Sequence, residues 1–255
     1  MKIVLLFSVL FLFSIGGILC YRFNTESKKY GAPPYILDDL APIEDFSKYG
    51  DLSKWVRPEG PVRVGLQAGH WKNSELPDEL ERLRENGGGT SNGSVAEWEV
   101  NLSVAEATKE LLEKEGILVD ILPATIPPGY FADAVIAIHA DGSLSPAASG
   151  FKVAAPRRDE SGKASTLVLH LEENYQSVTK LPKDPNITRN MTGYYAFSWR
   201  RFEHSTHPMA PAVILETGFL TNPSDARMLI RNPQLPAKAI AQALLAFLNT
   251  DKKVS

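Results

Sequence analysis

The chain has 255 residues, 44% hydrophobic and 22% charged, a balance that excludes collagen-like, low-complexity and wholly disordered chains and leaves room for one good core. Lys and Arg number 27 against 30 Asp and Glu, a formal charge of −3, and with no basic stripe the composition argues against a nucleic-acid partner. The single cysteine, Cys20, excludes an internal disulfide and a cysteine-based zinc ribbon, so any bound metal must be held by His, Asp and Glu.

Residues 3–21 carry no charge and lie between Lys2 and Arg22. A bilayer-spanning helix needs about 20 apolar residues and a cleavable signal core roughly 7 to 15, so residues 1–22 are expected to be a signal peptide or membrane anchor. Export to the outer side of a membrane follows. Residues 23–60, with Pro33, Pro34, Pro42 and Pro58 among polar side chains, predict a linker or loosely packed collar. A single folded domain is expected over 61–250. Short apolar, β-branched runs predict strands over 62–66, 117–122, 134–138 and 212–215. Val100, Val104, Ala107 and Leu111 keep a helical spacing that predicts a helix over 98–115, stopped by Gly116. Further helices are predicted over 162–179 and 225–249, the first preceded by a loop over 147–161. Asn222-Pro223-Ser224-Asp225 has the form of an N-cap with proline at the first helical position. Apolar strands alternating with helices predict an α/β fold, a mostly parallel sheet flanked by helices on both faces.

Three predicted strands lead into a chemically capable residue: His70, His139 and Glu216. In open α/β sheets ligands gather at the carboxyl ends of the strands, so the three can converge there. Two imidazoles and a carboxylate suit zinc, which takes N and O ligands and, in catalytic sites, keeps a position open for water. Glu97, at the start of the helix near Trp98, can reach the same place. Each residue alone is compatible with a structural role, but their joint placement favours metal-assisted hydrolysis.

Four stretches carry a family resemblance: Val64-Gly65-Leu66-Gln67-Ala68-Gly69-His70, Glu97-Trp98-Glu99-Val100-Asn101-Leu102, Ala132 through Ala140 around His139, and Pro211-Ala212-Val213-Ile214-Leu215-Glu216-Thr217-Gly218-Phe219-Leu220-Thr221-Asn222-Pro223. In order and spacing they resemble the zinc-dependent N-acetylmuramoyl-L-alanine amidases of the amidase type 3 group, bacterial cell-wall hydrolases, over roughly residues 62–249. The resemblance implies zinc held by His70, Glu97 and His139, with Glu216 as the catalytic carboxylate. Glu216 would act as general base toward a water acidified by the metal, then as acid toward the leaving amine. Glu99 competes with Glu97 for the ligand role, and the family spacing selects Glu97. The implied bond is the amide between N-acetylmuramic acid and the L-alanine of the stem peptide, so peptidoglycan is the expected substrate. The membrane is the expected contact of the N-terminal segment, and no protein partner is identifiable.

The chain departs from the family where Asp-Pro-Gly-His-Gly-Gly becomes Gln67-Ala68-Gly69-His70-Trp71-Lys72. Trp71 and Lys72 would then line the approach to the metal, or Trp71 would pack on segment 72–96. Arg189 and Asn190 lie where the family lines its substrate groove, and Arg189 could pair with a stem-peptide carboxylate. His204 and His207 have a spacing that can serve a metal, although surface placement is commoner, and His170 reads as structural. Residues 73–95, with Gly87-Gly88-Gly89, could form a lid or a solvated loop. Those glycines follow no predicted strand and lack the Lys-Ser/Thr of a phosphate loop, so no nucleotide cofactor is expected. A zinc peptidase on peptidoglycan crosslinks and a catalytically silent peptidoglycan-binding module are the alternatives.

Overall fold

The computed structural model describes residues 46–251, so the expected leader and the first part of the expected linker lie outside the described residues. Five strands form one sheet: β1 (Arg63–Ala68), β2 (Leu118–Leu122), β3 (Ala134–Asp141), β4 (Lys152–Ala154) and β5 (Ala212–Phe219). Their order is β2-β1-β3-β5-β4, with β4 antiparallel to β5 and every other pairing parallel. Parallel neighbours require crossovers, which carry helices α2 (Glu97–Glu113) between β1 and β2 and α3 (Ala164–Thr179) between β3 and β5, while α5 (Pro223–Arg231) and α6 (Gln234–Asp251) follow the last strand. Two four-residue helices, α1 (Glu81–Arg84) and α4 (Arg189–Thr192), complete the set among the described residues.

Alternation along the strands sorts the core into two layers. Val64, Leu66, Ile136, Ile138, Val213 and Leu215 pack with Val100, Val104 and Leu112 of α2, Leu167 and Leu171 of α3, and Ile240, Leu244 and Phe247 of α6. Val135, Ala137, Ala212 and Ile214 face the other way, onto Leu76, Leu80, Ile126, Met191, Tyr194, Tyr195 and Phe202. The long helices all serve the first layer. The second is roofed by loops and short turns, which leaves room there for side chains that do chemistry.

Two differences from the sequence reading have local causes. The loop expected over 147–161 contains β4, whose Val153, with Phe151 just before the strand, faces the helical layer while Ala154 faces the other. The helix expected over 225–249 is two helices, because Asn232 precedes Pro233 and leaves the helical region at φ −141°, ψ 60°. The N-cap reading of Asn222 holds: its Oδ1 accepts from the backbone N–H of Ser224 and Asp225.

Residues 46–60, at the end of the expected linker, lie against the N-terminal ends of the strands. Arg57 clamps Asp133 through Nε at 2.5 Å and Nη2 at 2.8 Å, and Asp133 also accepts from the Arg63 backbone. Tyr49, Trp55 and Phe131 surround the His207 ring at 4.8 to 5.9 Å between centroids. Among the described residues no helix is long and apolar enough to cross a membrane.

Candidate metal centre

β1 ends at Ala68, and the chain then turns through Gly69 into His70, which adopts a left-handed backbone (φ +62°). Gly69 allows the crossing that follows, since a Cβ there would stand 2.4 Å from the His139 ring. His139 belongs to β3 and pairs in register with Glu216 of β5, which in turn pairs with Lys152 of β4. Glu97 opens α2 after the extended residue Ala96. Glu99, its sequence competitor, reaches back instead to accept from the Ala96 N–H at 2.8 Å and closes the helix start. Its exposed position beside a buried Glu97 separates the two carboxylates.

His70, Glu97 and His139 each present a ligand atom within 4.8 Å of the others. Glu97 Oε1 lies 2.9 Å from His139 Nδ1, and Oε2 lies 3.5 Å from His70 Nε2. The carboxylate is fixed from outside: Oε2 accepts from the Thr90 N–H, while Oε1 accepts from the Asn101 amide and the Ala140 N–H. Asn101 also donates to Gly69 O, tying α2 to the turn that carries His70. The His70 ring lies edge-on to His139, with centroids 5.1 Å apart, and its Nδ1 is 3.2 Å from the Asn73 amide.

The charges suit a cation. Burial opposes ionisation of Glu97, but His70, His139 and the Thr90 N–H outweigh it and hold the carboxyl at about 2. Burial pushes His70 below its usual value, toward the neutral ligand form. Burial also opposes the charged form of His139, yet the hydrogen bond and charge of Glu97 prevail and raise it. Two imidazoles and an ionised carboxylate at these separations match the donor set of a catalytic zinc site, which needs three protein ligands at about 2.0 to 2.2 Å from the ion. Burial pushes Glu216 up to about 8, Asp141 and Glu97 add to the effect, and His139 and Lys152 oppose it. Lys152 itself is 5% exposed and bridges Asp141 (2.6 Å) and Asp184 (3.0 Å).

Segment 73–95 divides in two. Its first half is docked: Leu76 and Leu80 are buried, and Glu79 accepts from the Glu203 and His204 backbone and from His204 Nδ1. Each fully buried leucine contributes about 1.5–3 kcal/mol, which holds this half as a wall rather than a loose loop. The second half lies on the metal centre. At Gly89 (φ +79°) a Cβ would meet Glu97 Oε2 at 2.3 Å and His70 Cδ2 at 2.7 Å.

Not every candidate joins the cluster. His204 is bound to Glu79 and His207 sits among aromatic rings, so neither stands with the three metal-ligand candidates. Trp71 follows His70 and is partly exposed, with Lys72 Nζ over its ring at 5.3 Å. Arg189 and Asn190 are exposed on α4, whose Thr188 cap accepts from the Met191 N–H. The sequence reading missed Tyr194 and Gln67. Tyr194 OH lies 2.9 Å from His139 Nε2, and Gln67, fully buried on β1, lies behind it. An amide side chain directly after the apolar run that ends at Leu66, two before Gly69, was the available signal for Gln67.

Residues 64–246 match the family model described as N-acetylmuramoyl-L-alanine amidase. The probable cell wall amidase LytH of Staphylococcus saprophyticus is 25% identical over 234 residues, spanning 81% of this chain and 75% of the relative. The N-acetylmuramoyl-L-alanine amidase of Clostridium difficile 630 shares the fold at a TM-score of 0.53, with 20% identity over 75% of this chain and 98% of that one. The apo Ami1 amidase of Mycobacterium abscessus does so at 0.54, with 20% identity over 73% and 98%.

Proposed function

The chain belongs to the N-acetylmuramoyl-L-alanine amidase family, and from that premise we propose that His70, Glu97 and His139 hold a zinc ion and that Glu216 is the proton-transferring carboxylate of a peptidoglycan amidase. The enzyme hydrolyses the amide between N-acetylmuramic acid and the L-alanine of the stem peptide, an activity of the cell wall. The observation that carries the site assignment is the convergence of three ligand atoms within 4.8 Å of one another, with Glu216 in register beside His139.

When bound, zinc supplies Lewis acidity, which polarises the scissile carbonyl and brings a water near neutrality in pKa. The chain's own residues do the rest. Glu97 contributes its negative charge without a proton to lose, and the Thr90, Asn101 and Ala140 donors keep its two oxygens aimed at the two imidazoles. Glu216 takes the proton of the attacking water as the C–O bond forms. It returns that proton to the alanine nitrogen as the C–N bond breaks, leaving a lactyl carboxyl group, which keeps the second hydrogen of the water, and a free amine. A carboxyl raised by burial holds a proton well enough to deliver it, and delivery to the departing amine leaves Glu216 as the carboxylate that the next turnover needs.

Trp71, Arg189 and Asn190 are the residues we assign to substrate contact. Arg189 and Asn190 are exposed on α4, whose chain continues directly to Tyr194 beside His139, and Trp71 adjoins His70. The uncharged run over 3–21 supports export and attachment to a membrane, with the hydrolase acting outside it.

The test is mass spectrometry of peptidoglycan digested by the full chain in detergent, alongside metal analysis. The expected result is one zinc per chain, lost in His139→Ala, and stem peptides beginning at L-alanine, absent with Glu216→Gln although its zinc is kept. Peptides cut elsewhere, or undiminished activity in Glu216→Gln, would overturn the assignment.

A further inference from the structure

Behind His139 a buried chain of hydrogen bonds runs away from the metal centre, and its directions can be worked out from its far end. Ala124 O can only accept, so the Gln67 Nε2 at 2.9 Å donates to it, and the Gln67 amide is oriented with Oε1 toward Tyr194. The opposite orientation would set two acceptors against each other. Gln67 Oε1 can only accept, so the Tyr194 O–H at 3.0 Å donates to it. A phenol has one hydrogen. At the 2.9 Å contact with His139, Tyr194 is therefore the acceptor and His139 Nε2 carries a proton, while Nδ1 faces the Glu97 carboxylate at 2.9 Å and is the nitrogen whose proton a bound ion would displace. Tyr195 closes the network by accepting from Gln67 Nε2 and donating to Ala124 O. Every polar group in it is satisfied, and Gln67, Tyr194 and Tyr195 are all buried.

We propose that Tyr194 and Gln67 are positioning residues that lock His139 in the tautomer whose Nδ1 lone pair points at the metal. The proposal rests on the reading that His70, Glu97 and His139 hold zinc. The lock acts through His139 and touches neither substrate nor reacting atoms. Outer partners of this kind fix ring orientation as well as tautomer. They also make a specific pattern in mutants. In Tyr194→Phe the Nε2 proton loses its acceptor. With Gln67→Leu the Tyr194 proton is free to turn onto Nε2, which favours the tautomer with the proton on Nδ1, the wrong one for binding. Gln67→Leu is thus harmful only while the Tyr194 hydroxyl is present.

The experiment measures zinc affinity of the full chain in detergent by competition with a chelator of known affinity, for wild type, Tyr194→Phe, Gln67→Leu and the double variant. Each single change is expected to weaken binding about 10- to 100-fold, and the double variant is expected to bind no worse than Tyr194→Phe. Affinities within twofold of wild type, or effects of the two changes that multiply, would overturn the lock. Nitrogen-15 spectra of His139 in zinc-loaded wild type need no variant to fold. A proton on Nε2 is expected, and a proton on Nδ1 would overturn the proposal. Wild type that binds no zinc, or binds it equally after His139→Ala, would overturn the metal assignment together with the lock. Wild type that binds at His139 and ignores Tyr194 would overturn the lock alone.

Discussion

Gly89 offers a sharp test of how the loop before α2 bears on the metal centre. Gly87 and Gly89 both have left-handed backbones, at φ +54° and +79°, but a Cβ on Gly87 meets nothing within 4 Å, whereas one on Gly89 would stand 2.3 Å from Glu97 Oε2. Alanine at either position forces an L-residue into the left-handed region, at a cost of about 1–2 kcal/mol. For a domain of this size that lowers Tm by about 2–4 °C per kcal/mol. Gly89→Ala carries a second effect. An ordinary van der Waals separation would require the Glu97 oxygen to retreat by about 1 Å, several times the roughly 0.2 Å tolerance of a metal–ligand bond. Gly87→Ala should therefore lose only the backbone cost, while Gly89→Ala should lose more metal-free stability and also zinc affinity, by about tenfold or more, which corresponds to about 1.4 kcal/mol. Thermal unfolding in chelator, paired with chelator competition, separates the two effects. Equal zinc affinities for the two variants would refute the argument that the loop presses on the ligands.

Lys152→Ala would leave Asp141 and Asp184 facing each other without the buried cation between them. A loss of about 3 kcal/mol in denaturant unfolding is expected, as for other broken buried pairs. At the N-terminal end of β3, Asp133 is partly buried, which opposes its charge, but Arg57 and the Arg63 N–H hold its carboxyl below the usual range. A depressed carboxyl gives stability that is present above its unfolded pKa of about 3.9 and lost as pH falls through the folded value. Unfolding midpoints measured from pH 6 downward should therefore fall in acid, and the fall should be shallower in Arg57→Ala. Removing the metal with a chelator should abolish amide hydrolysis, and added zinc should restore it to wild type but not to Glu216→Gln, whose remaining rate should be lower by about 10²- to 10⁴-fold.

The sequence reading singled out these residues because two of them sit where periodicity is strongest. His139 and Glu216 belong to apolar, β-branched strands, and the structure extends those strands through them, to Asp141 and Phe219. Glu97 was separable from Glu99 only by family spacing, and the structure supplies the physical reason: one carboxylate is buried among imidazoles, the other caps the helix. What escaped is what depends on distant contacts. Three residues of β4 are too few for a periodic signal and form a strand only because β5 offers an edge. Tyr194 lies 55 positions from His139 in a stretch without regular structure, so nothing local marks its hydroxyl as a partner. Gln67 stands out in a strand, but its purpose appears only once Ala124, Tyr194 and Tyr195 are gathered around it.

The pairing of His139 with Glu216 has a consequence for how such a hydrolase can diversify. Their separation is set by neighbouring parallel strands, about 4.8 Å apart and held by a ladder of backbone hydrogen bonds. Loops do not enter that distance. The docked wall over 73–84 and the turn at α4 can therefore be lengthened, recharged or exchanged between relatives while the spacing of ligand and base stays constant. Libraries confined to those two segments should sort variants by the wall fragments they accept, with the chemical step as a fixed background against which differences in recognition can be read.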